Sequence, residues 1–263
     1  MAPPARIAPS LPVSGVRVRL REPTGEDELI ALAPGADAAP TMLELAERLV
    51  RDGGGAALAW SELPAVDLAA AALLIRGHWL GPRINTETIC PAAGCGEPID
   101  VSFLIDDYLE HHRPHRARAV TPRDDGWLAI DGIDVSFRIP TVEDMLGAAL
   151  APRGEDWLAA RCIRPQSAGT ALTRRVERAL AVIAPRLDDH VDGRCPVCGE
   201  HVELFFDPLG YVLAELRDAS TGLYADVHEL AFAYRWSEAS ILALDRRRRH
   251  GYVAMIRGEL ALA

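Results

Sequence analysis

The sequence has no lysine: all 28 basic residues are arginine, against 38 acidic ones, for a formal net charge of -10. A chain this acidic is a poor general binder of phosphate backbones, because such binding rests on cationic neutralisation. No apolar run approaches the roughly 20 residues that a membrane span needs; the most hydrophobic stretch, 65–75, is interrupted by Asp67 and ends at Arg76. The first fourteen residues carry prolines at 3, 4, 9 and 12 with no apolar centre, so they do not read as a signal peptide. A soluble, cytoplasmic protein without membrane contact is expected. His-Glu-x-x-His, Gly-x-Ser-x-Gly and Gly-x-Gly-x-x-Gly are all missing. The Gly53-Gly54-Gly55 run lacks the Gly-Lys-Ser/Thr ending of a phosphate loop and reads as a connector. Neither an enzyme nor a small-molecule substrate is expected.

Cysteine is scarce but ordered. Four of the five cysteines fall in two pairs, Cys90-Pro91-Ala92-Ala93-Gly94-Cys95-Gly96-Glu97 and Cys195-Pro196-Val197-Cys198-Gly199-Glu200. Each pair has proline after the first thiol and glycine after the second, the form of a knuckle that turns two sulfurs toward one ion. A lone pair could be a redox motif, but that reading expects one pair beside a βαβ unit. Two disulfides would suit a secreted protein, and nothing marks this one as secreted. The expected centre is therefore one structural Zn2+ held by Cys90, Cys95, Cys195 and Cys198, since four thiolates complete a tetrahedral shell. The knuckles differ in spacing, four residues between thiols in the first and two in the second, which leaves open whether they share one ion. Cys162 reads as a small buried hydrophobe. His190 and His201 flank the second knuckle as reserve ligands, whereas His111, His112 and His115 belong to a polar linker, 111–125.

Two motifs recur in the same order. Arg21-Glu22-Pro23-Thr24-Gly25-Glu26-Asp27 and Arg138-Ile139-Pro140-Thr141-Val142-Glu143-Asp144 both follow strand-like segments, 16–20 and 133–137, and each threonine is placed to cap an acidic first helical turn. The knuckles recur with their sequels, and Tyr108 and Tyr211 lie at equal distances beyond the second cysteine of each. The fold expected is α+β and helix-rich, with internally duplicated strand-helix halves, a small zinc-ribbon-like β element at the four cysteines and a C-terminal helical segment. Its divisions are a flexible N-terminus (1–15), a first half (16–118, knuckle 90–95), a second half (119–222, knuckle 195–198) and a helical docking segment (223–263). The metal would clamp one half to the other. Periodicity predicts a helix over 42–49 capped by Thr41, another opened by Pro64, and a third from Leu172 through Val176 and Leu180 to Ile183.

In the last segment, 226–234 has helical period and Ser237 caps a short helix ahead of Arg246, Arg247, Arg248 and Arg249. Such a run is a solvated face or a patch for an acidic partner; a zinc-ribbon nucleic-acid binder using these arginines is the alternative. The order Arg-x-Pro-Thr-x-Glu-Asp, Cys-Pro-x-Cys-Gly-Glu, then Glu229-Leu230-Ala231 with Tyr234, Trp236-Ser237-Glu238 and Ile241-Leu242 resembles the T4-type phage baseplate assembly proteins, whose relatives occur in phage-derived contractile injection systems. The resemblance implies a noncatalytic protein that builds or belongs to a baseplate or its hub through contacts with other tail proteins. Tyr234, Trp236, Ile241, Leu242 and Arg246 to Arg249 are the expected partner-binding residues.

Overall fold

The computed structural model describes residues 9–165 and 169–258, a mixed α+β fold. Its first part runs β1 (Val18–Leu20), α1 (Gly25–Leu32), α2 (Ala38–Leu49), β2 (Val50–Asp52), a 3-10 turn (Trp60–Glu62), α3 (Ala65–Leu80), β3 (Arg83–Ile89), β4 (Pro98–Leu104) and α4 (Ile105–His111). The second runs β5 (Val120–Pro122), β6 (Leu128–Ile130), β7 (Ser136–Phe137), α5 (Val142–Leu150), α6 (Gly154–Cys162), β8 (Ile163–Arg164), α7 (Thr170–Ile183), β9 (Asp189–Arg194), β10 (His201–Phe206) and α8 (Pro208–Ala219). The chain closes with α9 (Leu223–Tyr234), α10 (Glu238–Leu242) and α11 (Arg246–Arg257).

Two boundaries differ from expectation. α2 begins four residues before Met42, with Asp37 at its N-cap, and Thr41 sits inside the first turn donating its hydroxyl to the Asp37 carbonyl at 2.7 Å. Ala38, Ala39 and Pro40 supply that turn, where proline costs no hydrogen bond. The supposed linker 111–125 contains β5, an edge of the sheet β5-β6-β7-β8. The apolar spacing of α7 is as predicted: Val176 is buried, with Leu172, Leu180 and Ile183 packed on the cluster it shares with that sheet.

One set of contacts is made twice. Arg21 forks onto both oxygens of Asp27 at 2.7 and 2.8 Å, and Arg48, in the last turn of α2, reaches the same carboxylate at 2.8 Å. Arg138 forks onto Asp144, and Arg161, in the last turn of α6, reaches it at 2.8 Å. Each carboxylate also accepts the backbone N–H of its capping threonine, Thr24 at 2.9 Å and Thr141 at 3.0 Å. Burial alone would raise the pKa of both, but the arginines outweigh it and hold both carboxyls below the ordinary range. In both places the strand before the helix pairs antiparallel with the strand after the next one, β1 with β2 and β7 with β8.

Each helix start is hydrogen-bonded to a carbonyl downstream of a Trp-Ser-Glu segment elsewhere in the chain. Val142 N–H donates to the carbonyl of Leu63, the residue after Trp60-Ser61-Glu62, and Gly25 N–H donates to that of Leu244, past α10 and six residues after Trp236-Ser237-Glu238. Gly25 is required there: a Cβ would lie 2.9 Å from Leu242 Cδ2 and 3.0 Å from its Cα.

The main core draws on both parts. Met42, Leu45 and Leu49 of α2 and Leu68, Leu73 and Ile75 of α3 are buried together with Val212, Leu213 and Leu216 of α8. Across this seam Arg76 of α3 pairs with Glu215 of α8 at 2.7 and 3.0 Å. The N-terminal loop is pinned to the same core by Asp67, whose two oxygens accept the N–H groups of Val13 and Ser14 at 2.9 Å each.

Candidate metal centre and C-terminal face

The two knuckles are the tips of two antiparallel hairpins, β3–β4 and β9–β10. In each, the N–H of the first cysteine donates to the carbonyl of the glutamate past the second, Cys90 to Glu97 and Cys195 to Glu200, both at 2.9 Å. The glycine after the second thiol takes positive φ in both, 61° at Gly96 and 77° at Gly199, a conformation L side chains resist. The two extra residues of the first knuckle are absorbed in a turn, with Cys95 N–H donating to Ala92 and Gly94 at φ 87°.

The four sulfurs converge. Cys90 Sγ lies 3.5 Å from Cys198 Sγ and Cys95 Sγ 3.8 Å from Cys195 Sγ, and all four lie within 4.8 Å of one another. A tetrahedron with metal–sulfur bonds near 2.3 Å has edges of about 3.8 Å, so the spacing fits a bound ion. Disulfides are not formed, since all five cysteines are free. Ile99 and Val202, each four residues past the second thiol of its pair, pack beneath the sulfurs, while Cys198 faces solvent. At Cys195 a hydrogen bond from the Cys198 N–H outweighs burial and brings the thiol down to about 7. At Cys90 the Ala92 N–H is outweighed by burial and the neighbouring sulfurs, and the thiol is pushed up to about 12.

The histidines are not part of this centre. His201 sits with Asp192 and Glu203 in a separate, exposed group on the β9–β10 hairpin, the His190 ring lies tilted 5.3 Å from that of Phe205, and His112 bonds the Tyr108 carbonyl. Cys162 is buried 3.7 Å from Asp144, and burial with that carboxylate raises its thiol to about 11.

Behind the hairpins the two parts exchange hydrogen bonds. Tyr108, on α4, donates to the Leu187 carbonyl at 2.6 Å, and Tyr211, on α8, donates to the Asn85 carbonyl at 2.7 Å. Phe103, Tyr108, Phe206 and Tyr211 stack edge and face around this exchange.

The C-terminal segment departs from its expected role at three positions. Ile241 and Leu242 are buried, Ile241 sealing a small core with Leu230 of α9 and Val253 of α11, so neither is offered to a partner. Arg249 is fully buried: its Nη2 donates to both oxygens of Glu28 of α1 at 2.7 and 2.9 Å, and its Nε donates to Asp226 of α9 at 3.0 Å. Its position follows from the helix the four arginines begin, because α11 turns every fourth residue inward. Arg246 is half-buried and donates to the Ala219 carbonyl, which leaves Arg247 and Arg248 outward. Tyr234, half-buried Trp236 and Tyr252 form an aromatic group with centroids 5.0 to 6.1 Å apart. Sequence reasoning missed Tyr224 and Phe232, eight residues apart on one stripe of α9 and 62% and 70% exposed. Their helical spacing with polar His228 between them was the available signal.

No family model, no curated protein and no solved structure matches this chain. No helix among the described residues is long and apolar enough to cross a membrane.

Proposed function

We propose that this is a noncatalytic structural or assembly protein, held by one structural zinc ion and acting through protein contacts, as a component of a contractile-tail or injection-system baseplate. The convergence of four cysteine sulfurs carries the reading. Four thiolates fill a tetrahedral shell and leave no position for a reacting water, which is the arrangement of structural zinc and not of catalytic zinc. The twice-made strand-to-helix contacts, the paired knuckles and the exchanged tyrosine bonds support an internal duplication, with the hairpins as a zinc-ribbon-like element contributed equally by both copies. The baseplate assignment rests on the sequence resemblance, whose C-terminal residues fall in α9 and α10.

The partner surface in this reading is the outward face of α9 and α11: Tyr224, Phe232, Tyr234, Arg247 and Arg248. Nucleic-acid binding is weakened as an alternative, because the run of four arginines presents only two to solvent and the chain is acidic overall. The test is elemental mass spectrometry of the purified protein, combined with co-purification against individually tagged tail-cluster proteins. One zinc per chain and capture of a tail protein are expected. Protein with reduced thiols and no metal would overturn the zinc centre, and failure of every tail protein to bind would overturn the baseplate role.

A further inference from the structure

We propose that the cleft between the C-terminal end of α3, the first turn of α11 and the β1–α1 turn binds a phosphoryl-type oxyanion. The cleft is a cavity of about 210 Å3, open on one side, and is lined by His78, Trp79, Arg246, Arg247 and His250, with Glu22 also in its wall. In a chain of net charge -10 it gathers two guanidinium groups and two imidazoles around one carboxylate.

Two residues of this wall carry buried donors with no acceptor among the described residues, Trp79 Nε1 and Arg246 Nη1. The other terminal nitrogen of Arg246 is fixed by its 2.7 Å bond to the Ala219 carbonyl, so the group is held in place. Leaving a buried donor unmatched costs about 1 to 3 kcal/mol; Trp60 Nε1, Arg217 Nη2 and Arg249 Nη1 are unmatched too and lie outside this cleft, so it is the two donors together with the cationic wall that point to an acceptor supplied from outside. The start of α11 is capped by its own Asp245, which accepts the N–H of Arg248, so the arginines and not the helix end supply the positive charge.

The number of donors selects the ligand. A carboxylate offers two oxygens and one charge, whereas a phosphate monoester offers three strong acceptors and about -1.5 to -2 at neutral pH. Arginine forks match those oxygens in pairs. Glu22 opposes the ligand. Its carboxylate is largely exposed and lies 3.3 Å from His78 Nε2, so it occupies one donor that the oxyanion would take over. His250 is shared in the same way with Asp226, at 3.4 Å.

The test is isothermal titration of the full chain with inorganic phosphate and, separately, pyrophosphate at low ionic strength. Saturable binding at one site per chain is expected. Arg247→Ala, at an exposed side chain, should weaken it about tenfold, the scale of one charge-assisted contact. Glu22→Gln should tighten it a few-fold, a gain that damage to the fold cannot mimic, and Arg178→Ala on α7 should leave it unchanged. Tighter binding of pyrophosphate would identify a diphosphate-bearing ligand, and equal binding a single phosphoryl group. Absence of saturable binding by either probe, or equal weakening by Arg178→Ala and Arg247→Ala, would overturn the site.

Discussion

Asp27 and Asp144 show how much rests on single side chains. Each is fully buried, ends a capping interaction and accepts from two arginines that come from different elements. Replacing Asp144 with Ala removes the cap and the shared partner of Arg138 and Arg161, which are partly exposed, and should lower stability by about 1 to 3 kcal/mol in urea unfolding. The pH dependence has a definite sign. Both carboxyls are held below their unfolded value, so their contribution is complete above about pH 4 and is lost as pH falls below it. Acid titration of the melt should show that loss, and Asp144→Asn should remove part of it. The motif Arg-x-Pro-Thr-x-Glu-Asp made the cap legible in the sequence, but not the fork of its arginine onto its aspartate. The second arginine was not legible, because Arg48 and Arg161 lie 21 and 17 residues away at no repeating interval. Ile241 was misread for a related reason: an apolar residue on a short amphipathic helix looks the same whether it faces a core or a partner. Its replacement by Ala should cost about 2 to 5 kcal/mol, the penalty of a core cavity.

At the scale of elements, the hairpins are where sequence and structure agree most closely. Proline and glycine at fixed places around each pair of thiols determine the knuckle turns, and the alternation that follows gives the strands. Cys195→Ser should bring zinc content from one per chain to well below one, with hydrogen exchange rising over 83–104 and 189–206. Unchanged zinc content in that variant would rule out a shared four-sulfur centre. The tyrosine exchange was visible only as a matched distance past each knuckle. Its acceptors, the carbonyls of Leu187 and Asn85, have no signature in side-chain identity. Tyr211→Phe removes the bond while keeping the ring in its aromatic group and should cost about 1 kcal/mol, read from the shift in denaturant midpoint.

For the whole molecule, the two parts meet in a shared core as well as at the cysteines: α8 of the second part packs on α2 and α3 of the first, so a bound ion would not be their sole connection. Amphipathic periodicity gave α2 and α7 their apolar faces but could not say which elements would meet them. Chelation should therefore loosen the hairpins and leave α2, α3 and α8 protected from exchange. Loss of protection throughout would mean that the metal governs the entire fold. The C-terminal face answers differently: Tyr224→Ser with Phe232→Ser, both at exposed positions, should leave the melting temperature within a few degrees and abolish capture of the tail protein proposed as partner.

The separation of the two knuckles also sets an order of events during synthesis. Cys90 and Cys198 are 108 residues apart, and at about 5 to 20 residues per second the ribosome needs roughly 5 to 20 s to make the interval. Through that time the first hairpin waits with two sulfurs and no counterpart, open to oxidation or to a knuckle on a neighbouring nascent chain. A metal centre that joins the two pairs can therefore form only late, once the second hairpin has been made and has found the first.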